Sequence, residues 1–222
     1  MTLGCLGGRQ CAQTEVSRAM NKSRFEAFSD GVFAFAFTLL ALGFVLPMLH
    51  APSNRELTAA LLHLWPDLIA YALSFSVIGL MWQNHHALFR LVHTVDRKTV
   101  FWNLLLLAAT VLIPFATTTL GSYPTLPAST FFYGLVLSTC ATFYNVMLAH
   151  LARTHAFDAE VDAATIASTV RGYRTGWVVY VGATLVALVA PILSFAAYLA
   201  IVVYFAIPRG ADADVPLSAR RW

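Results

Sequence analysis

Long apolar runs alternate with short polar segments along most of this chain. The first run follows Ser23 and Glu26, whose S-x-x-E spacing is that of a capping box and predicts a helix start with Ser23 as the N-cap. From Arg24 to Leu46 this helix would be about 35 Å long at 1.5 Å per residue. A membrane hydrocarbon core is about 30 Å thick, so the run is long enough to cross it.

A second S-x-x-E box, at Ser53 and Glu56, predicts another helix start. The apolar pattern after it continues well beyond the length of one straight span. Pro66 predicts a kink, because proline cannot continue the helical hydrogen-bond ladder. We therefore expect an interfacial lead-in over residues 55–65 and a membrane span over residues 67–89.

The rest of the chain contains four more predicted spans. The last apolar run is too long for one helix, and Pro191 predicts a break that divides it into a short hairpin. The predicted spans cover residues 27–48, 67–89, 99–120, 129–150, 174–190 and 192–207. Residues 1–22 lack the apolar segment of a signal peptide. They are predicted to be a disordered leader, with 23–207 forming one six-span domain and 208–222 a tail.

The composition predicts a helical membrane protein. Of 222 residues, 59% are hydrophobic and only 11% are charged, whereas soluble domains carry about 25% charged residues. The strands of an outer-membrane barrel would show period-two alternation, which is weak here. The predicted fold class is therefore all-α, an integral membrane bundle of six transmembrane helices.

The basic residues predict the orientation of this bundle. With six spans both termini lie on one side, and of the 14 lysines and arginines only Arg55 falls outside the segments on that side. Because basic loops stay in the cytoplasm, both termini are predicted to be cytoplasmic in a multi-pass protein of the cell membrane. The sequence has no long block of like charges, which argues against a nucleic-acid partner.

Residues that could bind a metal or perform catalysis do not form a recognisable motif. Cys5, Cys11 and Cys140 lack metal-type spacing and are predicted to be reduced or buried thiols. Several histidines cluster near the ends of spans two and four, but without H-x-x-x-H or H-E-x-x-H spacing. We therefore expect no enzymatic activity and no cofactor.

Asp30 is the most costly polar residue of the first predicted span, since a charge there costs a few kcal/mol. Glu26 lies one helical turn earlier on the same face, and its like charge disfavours Asp30 further. We expect Asp30 to face the bundle interior and to pair with Arg24, His85 or His86. The alternative is a solvated aspartate at the membrane interface.

Residues 24–42 read RFEAFSDGVFAFAFTLLAL. This segment closely resembles the R-x-x-x-F-S-D-G signature on the first helix of the transmembrane protein 175 family of potassium channels. Residues 81–121 also resemble the second and third helices of that family. The motifs cover residues 23–121, and the six-span plan covers the rest of the chain.

The resemblance implies a homotetramer in the lipid bilayer, with the first helix of each subunit lining a pore for K⁺. It places a filter of apolar rings at Phe35, Leu39 and Leu42, and a polar side chain, Thr38, beside the constriction. The family usually has isoleucine or leucine at the first ring, so Phe35 is a departure. Four phenyl rings are bulkier, which affects both conductance and selectivity.

Helical spacing agrees with this filter but leaves an alternative open. Positions 35, 39 and 42 lie on one helical face. Phe33, Phe37, Leu40 and Phe44 form an equally apolar stripe on another face. Periodicity alone does not decide which of the two stripes faces a pore.

Other residues of the matching segments are expected to brace the first helix rather than to bind ions. These signature and bracing positions are Arg24, Phe28, Ser29, Asp30, Gly31, Trp82, His85 and Asn103. The predicted function is a potassium-permeable cation channel with a hydrophobic filter. The alternative is a secondary transporter or a proton-leak pathway that uses Asp30.

Overall fold

The computed structural model of this chain describes residues 22–46, 48 and 53–206, and every regular segment in this part is helical. The predicted leader, apart from Lys22, and the predicted tail lie outside the described residues. The helices are α1 (Lys22–Ala41), α2 (Asn54–His63), α3 (Trp65–Arg90), α4 (Arg97–Val111), α5 (Ile113–Ser122), α6 (Pro127–Arg153), α7 (Ala163–Val186) and α8 (Pro191–Ala206).

Within the described residues, three segments are long and apolar enough to cross a membrane: Trp65–Arg90, Arg97–Ser122 and Pro127–Arg153. They correspond to α3, to α4 and α5 together, and to α6. Helix α1 has comparable length but carries four charged residues near its start, namely Lys22, Arg24, Glu26 and Asp30. Helix α8 is apolar but shorter. The all-helical fold class is therefore observed. By length and composition alone, three described segments qualify as membrane spans, which is fewer than the six predicted.

Several predicted helix boundaries are observed. Ser53 is the N-cap of α2, and its side chain accepts a hydrogen bond of 3.2 Å from the Glu56 backbone N–H. The chain breaks between α2 and α3 at Leu64, two residues before Pro66, and α8 begins at Pro191. Local capping and proline geometry set these three boundaries, so the sequence was sufficient to locate them.

Two boundaries of α1 differ from the prediction. Ser23 lies inside α1, after Lys22, and so is not its N-cap. The helix ends at Ala41 rather than near Leu46. After Ala41 the backbone N–H groups of Leu42 and Gly43 bond to carbonyls three residues earlier, at 3.1 and 3.2 Å. This tighter 3₁₀-type turn commonly terminates an α-helix.

Two later segments also differ. The third predicted span is interrupted at Leu112, where Pro114 in the first turn of α5 cannot donate a backbone bond. Helix α7 begins at Ala163, well before the predicted span, because the Asp162 side chain caps it by accepting from Thr165 N at 2.9 Å. The polar residues that suggested a loop therefore form the first turns of α7.

Helix α6 is the centre of the bundle and contacts α4, α5, α7 and α8. Its largest buried side chains include Tyr133, Met147 and Leu148. Helix α1 lies at the edge of the bundle and packs one face against α3, α4 and α5. This placement leaves the opposite face of α1 without a partner in the described chain.

Three segments predicted to share one side of the membrane meet at one end of the bundle. Lys22 Nζ donates to Val92 O at 2.6 Å, which joins the start of α1 to the α3–α4 loop. Val92 forms an antiparallel bridge with Phe157 in the α6–α7 loop. His93 N donates to Ala156 O at 2.8 Å across this bridge. The α3–α4 loop follows two predicted spans and the α6–α7 loop follows four. An even number of spans returns the chain to the side of the membrane on which α1 begins, so these segments are expected to share one end.

At the other end, the absence of a side chain at Gly121 lets α5 approach α3 closely. A Cβ atom at position 121 would overlap the Asp67 carboxylate and lie 2.9 Å from Asp67 Cα. Gly121→Ala is therefore expected to destabilise the bundle by about 1–3 kcal/mol through overpacking. Thermal unfolding in detergent measures the change.

Gly182→Ala is the matched control, because a Cβ at that position in α7 meets no atom within 4 Å. Alanine is the better helix former by about 1 kcal/mol, so this variant should be as stable as the parent or more stable. Equal melting temperatures for the two variants would contradict the close α3–α5 contact.

Candidate functional site

Helix α1 has a buried face that follows the helical repeat. Its buried residues are Phe25, Ser29, Phe33, Ala36 and Leu40, spaced three or four residues apart. Such spacing aligns side chains along one side of a helix. This face packs on α3, α4 and α5 and fixes the rotation of α1 about its axis.

A hydrogen-bonded polar network connects the buried face of α1 to α3 and α4. Asn103 Nδ2 donates to Ser29 Oγ at 2.9 Å, and Ser29 Oγ donates to Phe25 O at 3.0 Å. His85 Nε2 lies 2.9 Å from Asn103 Oδ1. Because the amide oxygen only accepts, His85 must donate from Nε2. Ser29, His85 and Asn103 are each at most 1% exposed.

Aromatic rings surround the His85 imidazole. Its centroid lies 4.6 Å from that of Phe89, 5.5 Å from Phe33 and 6.2 Å from Phe25. An imidazole in such a setting needs its polar atoms paired, since an unpaired buried donor costs about 1–3 kcal/mol. Asn103 supplies this pairing, so the network holds three helices in register.

Asp30 has a different partner from those predicted. Trp82 Nε1 donates to Asp30 Oδ1 at 2.9 Å, whereas Arg24, His85 and His86 make no hydrogen bond to Asp30 among the described residues. Asp30 is half-buried in the single chain. A neutral indole N–H satisfies one carboxylate oxygen without placing a second charge in the bundle.

The exposed face of α1 carries Phe28, Gly31, Phe35, Thr38 and Leu42, again at helical spacing. Phe35 is 58% exposed and Leu42 is 74% exposed. Leu39 flanks this stripe and is half-buried. The Thr38 hydroxyl donates to Phe35 O at 2.8 Å, which satisfies it within the helix. We call these five residues, together with Leu39, the exposed stripe.

The alternative apolar stripe packs inside the chain. Phe33 and Leu40 are buried. Phe37 lies 4.8 Å from Phe75 between ring centroids, and Phe44 lies 5.2 Å from Tyr71. The structure thus separates two faces that the sequence pattern could not distinguish.

The structure brings together Ser29, Asp30, Trp82, His85 and Asn103 of the predicted bracing positions. Arg24 and Phe28 lie on the exposed side and make no side-chain hydrogen bond within the described part of the chain. Gly31 is likewise open, because a Cβ atom added at this position would meet no atom within 4 Å. Among the described residues, these three therefore make no bracing contact of the kind that Ser29, Asp30 and Asn103 make.

Sequence reasoning missed a second polar cluster, at the start of α4. Asp96 Oδ1 accepts from Thr99 N at 2.8 Å and from Thr99 Oγ1 at 2.7 Å. Its other oxygen, Oδ2, accepts from His150 Nε2 of α6 at 2.9 Å. The D-x-x-T spacing at positions 96–99 was the available signal, because aspartate is a strong N-cap residue.

The hydrogen bonds of this cluster affect the titration of Asp96. Burial by itself raises the pKa of Asp96, but the bonds from Thr99 and His150 together lower that pKa from 3.8 to about 2. A lowered folded-state pKa means that the carboxylate stabilises the fold above pH 3.8 and that this contribution disappears as the pH falls through 2.

Asp96→Asn removes the charge and keeps an oxygen that can still cap α4. We expect its melting temperature in detergent to be below that of the parent at neutral pH, with the gap closing between about pH 4 and pH 2. Asp96 is largely exposed, so solvent screening keeps the gap small. A gap that persists unchanged at pH 2 would contradict the assignment.

Among the described residues, histidine, cysteine and acidic side chains form no group of three or more that could hold a metal ion. Cys140 is a buried free thiol. Cys5 and Cys11 lie outside the described residues.

Comparisons with known proteins agree with the arrangement around α1. A family model described as the endosomal/lysosomal potassium channel TMEM175 matches residues 24–114, which include both faces of α1 and the Ser29–Asn103–His85 network. A protein named a potassium channel in Streptomyces collinus is 38% identical over 84% of this chain and 92% of its own length. The chain belongs to the TMEM175 family.

A solved structure shows the same fold in this family. The chain resembles the structure of a lysosomal potassium-selective channel TMEM175 homolog from Chamaesiphon minutus with a TM-score of 0.75. The two are 32% identical, and the match covers 83% of this chain and 96% of that one. Membership in a channel family makes this chain a membrane protein and places it outside the families of enzymes.

Vertebrate relatives match less than half of the chain. The human protein named endosomal/lysosomal proton channel TMEM175 is 36% identical over 46% of this chain and 21% of its own length.

Proposed function

We propose that this chain is one subunit of a potassium-permeable channel in the cell membrane, and that four copies place the exposed stripe of α1 around a common axis. The main support for the proposal is that the two faces of α1 differ, one being buried in its own chain and the other exposed. One face is fixed by the buried network, while Phe35 and Leu42 project outward without a partner among the described residues. The potassium channel names of the full-length bacterial relatives support it further.

Gly31 supports a close approach at this stripe. Glycine inside a helix costs about 1 kcal/mol relative to alanine, and no contact with the part of the chain that the structure describes requires Gly31. A neighbouring copy of α1 that packs closely against Gly31 near the axis would explain why this position has no side chain. Arg24 and Phe28 then act between subunits, in keeping with their exposure in the single chain.

The filter would consist of rings of Phe35, Leu39 and Leu42, with Thr38 as the polar group beside them. Apolar rings offer no oxygen to replace the water around an ion, so a passing ion sheds or compresses its hydration shell. Potassium holds water less tightly than sodium and therefore meets the lower barrier. An apolar constriction of this kind can also close by losing its water. No resident cofactor is required, because K⁺ is the permeant ion.

We further propose six spans formed by α1, α3, α4 with α5, α6, α7 and α8, with both termini in the cytoplasm. The shared end formed by Lys22, Val92 and Phe157 supports this topology. Residues 1–22 and 208–222 would then be a cytoplasmic leader and tail. The proposal requires the lipid bilayer and identical subunits as partners, and no nucleic acid.

Liposomes that contain the purified protein test the function. With opposed potassium and sodium gradients, we expect potassium-selective flux and unitary currents in planar bilayers. Saturable, pH-coupled flux without unitary currents would contradict the channel and favour a transporter or a proton pathway through Asp30. One observation supports this transporter or proton-pathway alternative: the Asp30 carboxylate is half-buried and bonded to Trp82.

Cysteine cross-linking tests the assembly separately. In a background without the native cysteines, Leu42→Cys is expected to give disulfide-linked subunits, because position 42 is exposed and near the proposed axis. Leu40→Cys is the matched control and should not cross-link, because Leu40 is only 3% exposed within its own chain. Cross-links at position 40 but not at 42 would rule out this rotation of α1.

A further inference from the structure

A groove between the start of α4 and the end of α6 is not explained by ion conduction. Helix α4 contributes Arg97, Lys98, Phe101 and Trp102, and α6 contributes Val146, Ala149, His150 and Arg153. The α6 residues are spaced at i, i+3, i+4 and i+7, so they form one face of that helix. Both helices belong to segments that are long and apolar enough to cross a membrane.

Three cations line the outer rim of this groove without acidic partners. Arg97, Lys98 and Arg153 are exposed, and none forms a salt bridge or side-chain hydrogen bond with another described residue. The nearby carboxylate, Asp96, makes its hydrogen bonds to Thr99 and His150 and forms no ion pair with these cations. The rim therefore carries an excess of positive charge, with three cations against the single carboxylate of Asp96.

The inner part of the groove is apolar and aromatic. Phe101 lies one turn after Arg97, about 6 Å deeper along α4 at 1.5 Å per residue. Trp102 contacts both Phe101 and Phe143, with ring centroids 5.3 and 6.5 Å apart. Tryptophan is typical of the membrane–water interface, where its ring lies at the level of the lipid headgroups.

We propose that this groove binds an anionic phospholipid, with the headgroup phosphate on Arg97, Lys98 and Arg153 and the glycerol and upper acyl chain against Phe101 and Trp102. Basic pockets between helices at the cytoplasmic side of membrane proteins commonly bind acidic headgroups. The apolar inner wall favours a lipid over a free anion, which would leave that wall uncovered. Because α4 carries Asn103 of the buried network, an occupied groove would also support the helix that holds α1.

Lipid titration followed by native mass spectrometry of the purified full-length protein tests this proposal. The probes are phosphatidylglycerol, phosphatidylcholine of the same chain length and inorganic phosphate. The triple variant R97Q/K98Q/R153Q is expected to bind phosphatidylglycerol at least tenfold more weakly, since each cation near an anionic lipid contributes roughly fivefold. Phosphatidylcholine should bind weakly to both proteins.

Two further variants make the result specific. R171Q/R174Q removes exposed charges of the same sign from α7, away from the groove. It is expected to change binding by less than about twofold per charge, since charges away from the lipid are screened. Ala149→Trp keeps every cation but fills the groove, and it should also lose phosphatidylglycerol.

Each remaining outcome overturns the proposal. Unchanged phosphatidylglycerol binding in the triple variant or in Ala149→Trp would show that the lipid binds elsewhere. Equal losses in the triple variant and in R171Q/R174Q would show a diffuse electrostatic effect. Displacement of phosphatidylglycerol by millimolar inorganic phosphate would identify a free-anion site. Because no arm of the experiment measures ion flux, the proposal fails or holds independently of the channel function.

Discussion

Replacing Asn103 with leucine is expected to destabilise the protein by about 2 kcal/mol and to loosen α1. The change leaves the His85 Nε2–H without an acceptor, in a site where an unpaired buried donor costs about 1–3 kcal/mol. Ser29 loses a donor but keeps its own bond to Phe25 O. Hydrogen bonds between membrane helices average below 1 kcal/mol, so most of the expected loss comes from the unpaired donor rather than from the bond itself. Reversible unfolding in detergent measures the loss.

A double variant makes this prediction sharper. His85→Phe combined with Asn103→Leu removes both partners, and apolar replacement of both can be nearly neutral. His85 is surrounded by the rings of Phe25, Phe33 and Phe89, so a phenyl ring suits position 85. We therefore expect the double variant to be more stable than Asn103→Leu alone.

Gln83→Leu is the control for general hydrophobicity, since Gln83 is an exposed residue on α3. It should leave the melting temperature unchanged. If Asn103→Leu is as stable as Gln83→Leu, or if the double variant is no more stable than Asn103→Leu, the network does not hold α1.

Leu42→Ala is expected to leave folding and assembly intact while raising cation flux and lowering the preference for potassium severalfold. Leu42 is 74% exposed in the single chain, so truncation removes little buried surface there. If four copies form a ring at the axis, the same truncation widens the constriction and lets ions pass with more of their water. Flux assays in liposomes and size-exclusion chromatography measure the two effects.

Leu40→Ala is the matched control, because it removes the same atoms two residues away on the buried face. Leu40 is 3% exposed, and truncation of a buried leucine typically costs about 2–5 kcal/mol. We expect a lower melting temperature and unchanged ion preference in the channels that remain. If the two variants exchange these effects, Leu40 rather than Leu42 faces the pore.

Much of the helical architecture could be predicted from local sequence signals. The serine cap at Ser53 and the prolines at positions 66 and 191 mark helix boundaries that the structure shows. These signals act within one or two turns of backbone, so no knowledge of distant residues is needed to interpret them. The early start of α7 is the exception, because its first turns are polar and resemble a loop.

The family could also be recognised from the sequence, since the R-x-x-x-F-S-D-G signature lies within one short segment. The signature does not reveal how its members divide between the two sides of α1. Ser29 is buried in the network and Asp30 accepts from Trp82, whereas Arg24 and Phe28 remain exposed. A contiguous motif on a helix necessarily spreads over all its faces, so its residues take different roles.

The chain's apolar periodicity, charge distribution and signature were enough to establish a helical membrane protein of this family and to name the residues of its first helix. Only the tertiary structure decided which stripe of α1 is buried. Both stripes are apolar, so hydrophobicity favours neither, and the rotation of the helix depends on partners far along the chain. Asn103 and His85 bond to the Ser29 side, and Phe75 and Tyr71 pack against Phe37 and Phe44. These contacts hold the stripe with Phe35 and Leu42 outward, because a buried polar network is satisfied in only one rotation of the helix.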